Sequence, residues 1–145
     1  WRNFMINDGL KLTGKLKIAL NGETVQEVDN LVVTDGKEYV ASRMKDATAT
    51  AMSHMAIGSG STAAAAGDSS LGTELGRVAL TSTAVSGAVV TYTATFGAGT
   101  GTGAVTEAGI LNASSSGDLL CRTVFSVVNK GASDSMTITW TVTVS

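Results

Sequence analysis

The stretch Met136-Thr137-Ile138-Thr139-Trp140-Thr141-Val142-Thr143-Val144 decides how the rest of the chain is read. Large apolar residues alternate with threonine from end to end. Strict period-two alternation is the mark of a β-strand with one face in a core and the other in water. Threonine suits the wet face, because its branched side chain favours the extended backbone and carries no charge. Residues 88–96 repeat the pattern: Val90, Tyr92, Ala94 and Phe96 take one face, and Val89, Thr91, Thr93 and Thr95 the other.

Working outward, strands are predicted at 105–111 and 119–128, joined around Asn112 to Asp118, and at 78–85 and 52–57. Two more flank Asn21-Gly22 between 13 and 33, the dipeptide best suited to a two-residue hairpin turn. Tyr39, Val40 and Met44 fall at helical spacing, which predicts one short helix over about 37–45, capped by Thr34 or Asp35. Gly58 to Gly67 reads as a surface loop. The expected fold is all-β: a single antiparallel β-sandwich or jelly-roll-like domain of about eight strands spanning 1–145, with an N-terminal hairpin and helix (1–46) and a main sandwich (52–145). In this reading Trp140 packs in the core with Ile138, Val142, Phe96 and Phe125.

Composition narrows the function classes. Of 145 residues 43% are hydrophobic but only 15% charged, and the net charge is −2. The charged share is well below the roughly 25% of ordinary domains. No basic footprint for nucleic acid appears; Lys11, Lys15 and Lys17 read as a solvated strand face. No apolar run reaches the ~18 residues of a membrane-spanning helix, and no signal segment opens the chain. Met5 offers a natural start, which leaves the origin of Trp1 to Phe4 open. The chain has no proline, so its sheet edges lack a common guard against stray pairing and are expected to be covered by neighbouring subunits.

Residues capable of chemistry are few. His54 is the sole histidine and Cys121 the sole cysteine, so neither a histidine metal cluster nor an internal disulfide is possible. Both read as structural, and no G-x-S-x-G elbow accompanies His54. The glycine-rich pieces at 58–61 and 97–103 do not continue into Gly-Lys-Ser/Thr and start no helix, so they read as turns rather than phosphate loops. Among the sparse carboxylates near apolar segments (Asp68, Glu74, Glu107 and Asp118), Glu107 stands out. Setting Leu111 opposite Asp118 places Glu107 opposite Arg122, a half-buried cross-strand ion pair with an architectural role. No catalytic residue, metal site, cofactor or small-molecule substrate is expected.

Several stretches together resemble a known group. Met55-Ala56-Ile57-Gly58-Ser59-Gly60 leads to Leu71-Gly72-Thr73-Glu74-Leu75-Gly76-Arg77, then to Tyr92 to Phe96 and Thr106-Glu107-Ala108-Gly109-Ile110-Leu111-Asn112. Arg122-Thr123-Val124-Phe125, Val128 to Gly131 and the final strand complete the series. In this order, over 52–145, the chain resembles small virion proteins of tailed bacteriophages, described as structural, decoration or tail-associated. The motif order is also similar to the first domain of phage tail-collar fibre proteins, without their long C-terminal fibre. The resemblance implies a β module that builds particles in the virion after synthesis in the bacterial cytoplasm. It implies no enzyme activity, and its partners would be other copies of itself, as a trimer, and a phage capsid or tail protein. The leading expectation is a capsid decoration, cement or head-fibre protein on the outer shell. The alternative is a tail, baseplate or fibre-base adaptor. A carbohydrate-binding β-sandwich is a distant third, since Trp140 and Tyr92 lie on core-facing registers.

Overall fold

The computed structural model describes residues 9–45 and 48–145. Trp1, Met5 and the start of the connector at 47 lie outside the described residues. The chain is all-β with one helix. Among the described residues nine strands occur, in the order β1 (Leu12–Leu20), β2 (Glu23–Val32), β3 (His54–Gly58), β4 (Glu74–Ala79), β5 (Ser82–Ser86), β6 (Val89–Phe96), β7 (Gly103–Leu111), β8 (Leu119–Lys130) and β9 (Met136–Val144). The helix, α1 (Thr34–Lys45), lies between β2 and β3. No helix among the described residues is long and apolar enough to cross a membrane.

All nine strands join one curled antiparallel sheet in the order β4-β3-β7-β8-β2-β1-β9-β6-β5. The curl follows from strands that change partners along their length. β2 pairs with β1 as far as Asn30 and then with β8 through Leu31 and Val32. The stretch 78–85, expected as one strand, is two: β4 pairs with β3, the chain bends at Leu80-Thr81, and β5 pairs with β6. That bend raises the count from eight to nine. The N-terminal hairpin lies in mid-sheet, where β1 pairs with β9 and β2 with β8.

Turn chemistry matches local sequence. Asn21 and Gly22 both have positive φ (51° and 83°), as a type I′ hairpin turn requires. Asn21 is held there by its own side chain, whose Nδ2 donates to Asp134 Oδ1 at 2.9 Å while its Oδ1 accepts from Ser135 N.

One core fills the curl. Leu16 and Ile18 of β1, Met55 and Ile57 of β3, and Phe96, Ile110, Phe125, Ile138, Trp140 and Val142 all belong to it. Trp140 is fully buried, and its indole Nε1–H donates to Asn30 Oδ1 at 3.0 Å. Asn30 reaches the indole by lying across Gly14, its partner in register, where any Cβ would collide with its amide. The Nδ2 of Asn30 has no partner among the described residues.

The helix begins at Thr34, three residues before the expected start. Its first turn packs so closely on β8 that a Cβ at Gly36 would overlap the Leu120 carbonyl. Both residues expected to cap the helix, Thr34 and Asp35, lie inside its first turn, and Asp35 Oδ2 accepts from Leu119 N at 2.9 Å and so fastens α1 to β8. Tyr39 and Val40 pack on the core, whereas Met44 is exposed.

Trp140→Ala should cost about 3–5 kcal/mol by denaturant unfolding. Trp140→Phe should cost roughly 1–3 kcal/mol, because it strands the Asn30 amide in the interior. A Phe variant as stable as the parent would show that the indole–amide bond contributes nothing.

Candidate functional site

The outer faces of the two halves of the sheet differ. On β9, β6 and β1 the outer face is open: Thr137, Thr139 and Thr141 stand opposite Thr95, Thr93 and Thr91 on one side, and opposite Ala19, Lys17 and Lys15 on the other. On β3, β7 and β8 the outer face is covered by the chain from Ser59 to Thr73. Leu71 of that segment packs with Ala56, Leu111, Leu119 and Val33 in a second, smaller apolar cluster.

Glu107 holds this cover in place. It lies on β7 and is fully buried, and four N–H donors converge on its carboxylate. The backbone N–H of Gly60 and of Thr73 donate to Oε2, each at 2.7 Å. The N–H of Gly72 donates to Oε1 at 2.7 Å, Arg122 Nε donates to the same oxygen at 3.0 Å, and Arg122 Nη2 lies 3.0 Å from it as an ion pair. Arg122, itself 2% exposed, spends its remaining donors on the same segment, with Nη1 on Asp68 Oδ2 at 2.8 Å and Nη2 on the Thr62 carbonyl at 3.0 Å.

Glycine makes room for the carboxylate. A Cβ at Gly58 or Gly60 would overlap Glu107 Oε2. A side chain at Gly109 would strike Leu71 and Leu119, each 2.9 Å from the ideal Cβ. The piece at 58–61 therefore does cradle an anion, and that anion is the protein's own carboxylate.

The expected pair is present, but by a different register. Glu107 faces Val124 and Arg122 faces Gly109. The hairpin closes one residue later than expected, with Leu111 opposite Leu119, and an irregularity between Ile110 and Leu111 adds a second step. Two single-residue shifts leave Glu107 and Arg122 on one face as diagonal neighbours. The pair is also fully buried rather than half-buried.

Burial pushes the Glu107 carboxyl up, but the N–H groups of Thr73, Gly72 and Gly60 together with Arg122 outweigh it and hold its pKa below the ordinary 4.5. Asp68 is likewise lowered, first by the Ala65 N–H, against some burial, and then by Arg122. A buried carboxylate with four N–H donors on its lone pairs has none placed to take a proton from a substrate. The arrangement fastens a segment to a sheet.

The other candidates are dispersed. His54 sits on β3 with Ser53 Oγ 2.7 Å from its Nδ1. Cys121 is buried in the core, which raises its thiol pKa well above the ordinary value. Among the described residues no three His, Cys, Asp or Glu side chains are grouped to hold a metal. Trp140 and Tyr92 are buried, so neither offers a platform to a sugar; burial, then Tyr39 and Cys121, pushes the Tyr92 hydroxyl up to about 12. Phe96 and Phe125 are core residues.

No protein-family model, curated protein or solved structure matches the chain.

Two features gave no sequence signal. Lys130 is buried with its Nζ donating to the Gly97 carbonyl at 2.8 Å, although it ends a strand beside a glycine, as a surface lysine would. Arg77 closes the β7–β8 turn by donating to the carbonyls of Ala113 and Ser116, both at 2.9 Å, while pairing with Glu74.

Glu107→Gln should lower stability by about 3–5 kcal/mol, because it leaves Arg122 buried without its carboxylate. A double replacement of Glu107 and Arg122 by leucine should regain only part of the loss. Three backbone N–H groups would still point into an apolar site, each costing roughly 1–3 kcal/mol. Full recovery in chemical denaturation would mean that those three bonds are dispensable.

Acid should act through the same group. An unfolded Glu107 takes up its proton near pH 4.5, and the folded one only at lower pH. The unfolded chain therefore binds more protons in that window, so the stabilisation is complete above pH 4.5 and drains away as pH falls below it. Asp68 adds in the same direction. Unfolding free energy measured against pH should fall less steeply in Glu107→Gln than in the parent; parallel curves would exclude Glu107 as the titrating group.

Proposed function

We propose that this chain is a structural component of a tailed-phage particle: a capsid decoration, cement or head-fibre protein that binds the outer shell and works as a trimer of identical copies. The observation that carries the reading is where the residues of the resemblance meet. Gly58, Gly60, Leu71, Gly72, Thr73, Glu107, Gly109 and Arg122 are scattered along the sequence, yet all belong to the one buried anchor. A motif order that encodes a single physical device is a better sign of a shared module than eight unrelated matches.

The surface suits that role. No charged residue occurs between Arg77 and Glu107, and the open sheet face is largely threonine. Such a surface sheds little hydration when covered by another protein, since desolvating charge is the larger cost. Repetition on a lattice lets each contact be weak, because neighbouring sites add avidity.

The experiment is cosedimentation of the purified chain with particles from its source, followed by counting copies per particle. Dozens to hundreds of copies on the head are expected. A dozen or fewer on the tail would favour a tail, baseplate or fibre-base adaptor instead, and no binding to either would overturn the virion role. Folded Glu107→Gln should bind like the parent, since the anchor is internal; loss of binding without loss of folding would make Glu107 part of the docking surface.

A further inference from the structure

The sheet ends in two strands, β4 and β5. At β4 the Gly97–Thr102 turn packs against the inner face of the strand, where a Cβ at Gly76 would lie 2.9 Å from Gly101 N. The edge of β5 is bare, and all five residues from Ser82 to Ser86 are exposed. Folded proteins guard such an edge with a charge, a proline, a bulge or a covering loop. β5 carries no charge and no proline, and its pairing with β6 runs without a register shift. The two-residue turn at Gly87-Ala88, with Gly87 at φ 59°, holds it flush against its neighbour.

We infer that the β5 edge docks on the β5 edge of a second copy of this chain, antiparallel about a two-fold axis at Ala84. The sequence Ser82-Thr83-Ala84-Val85-Ser86 is nearly its own mirror image. In this register Ala84 meets Ala84 of the second copy, Thr83 meets Val85, and Ser82 meets Ser86. A two-fold contact sets each charge against its own kind, so most edges repel themselves. Here every pair is small and uncharged.

The faces also agree. Thr83 and Val85 lie opposite Tyr92 and Val90, on the inner side of the sheet. Val85 is 73% exposed there, and the contact sets it beside threonine of the second copy. On the outer side the threonine face of β6 and β9 continues through Ala84 into the same face of the other copy. A five-residue edge buries less than the ~800 Å² per partner of a standard interface, so the contact is weak and reversible. It is two-fold, and thus separate from the three-fold association in the proposed trimer. The inference extends the self-association part of that proposal but stands on the edge geometry, whatever particle the chain belongs to.

The test is sedimentation velocity on the full chain across micromolar to millimolar concentration, with amide hydrogen exchange at both ends of the range. A reversible dimer with new protection confined to Ser82–Ser86 is expected. Ala84→Lys and Ala84→Glu, both at an exposed position, should each weaken association by about tenfold or more through like-charge contact, and mixing the two should restore it as a heterodimer. The inference falls if no association protects β5, or if a dimer forms that Ala84→Lys leaves unchanged. Particle binding by the Ala84→Lys variant is a separate readout, so failure of the edge contact and failure of the virion role are distinguishable.

Discussion

The outer face of β3, β7 and β8 depends on a single carboxylate. The segment Ser59–Thr73 has one large apolar residue, Leu71, and one charged residue, Asp68, among glycine, alanine, serine and threonine. Ordering each of its residues costs roughly 1–2 kcal/mol of backbone freedom. Burying one leucine contributes only about 1.5–3 kcal/mol. Apolar burial therefore does not hold this segment down. Hydrogen bonds to a charged group contribute about 1.5–3 kcal/mol each, and Glu107 gathers them from both ends of the segment, at Gly60 and at Gly72-Thr73. Arg122 extends the grip to the middle through Thr62 and Asp68. The glycines follow from this, since the backbone must come within 2.7 Å of a carboxylate where no side chain fits.

How much of this was legible in the sequence depended on whether the information was local. The alternation in Met136–Val144 placed Trp140, Ile138 and Val142 in the core, because a period of two leaves only the choice of face. Asn21-Gly22 specified its turn for the same reason. Partner changes were not legible. Nothing in the composition of 78–85 marks the bend at Leu80-Thr81, which exists because β3 and β6 belong to different halves of the curl. The helix start was obscured because Asp35 is used by β8 instead of by the helix.

The Glu107–Arg122 pair lies between these cases. Turn length suggested a register, and the register was off by two residues. An error of one would have put the two side chains on opposite faces of the sheet. An error of two preserved the face and changed a direct neighbour into a diagonal one, still within reach of an arginine. The three backbone donors lay beyond sequence reasoning, because they come from a segment with no periodicity to place it. Their only trace was the glycine spacing at 58, 60 and 72, which can be read as a steric requirement only once the carboxylate is known to lie there.

The two halves of the sheet meet the same demand by opposite means. A strand with one face in the core must still present its other face to something. β6 and β9 present threonine to water, which needs no cover and no partner. β7 and β8 instead carry Leu111, Leu119, Glu107 and Arg122 outward, and those side chains would be costly in solvent or unsatisfied in oil without the overlying segment. The covered half is thus committed internally, with its polar groups paired among themselves. The open half keeps a largely threonine face, bordered by Lys15 and Lys17 of β1, and one unguarded edge. The fold thus leaves uncovered the threonine face of β6 and β9 and the edge of β5, while Glu107 and Arg122 are enclosed under the segment Ser59–Thr73.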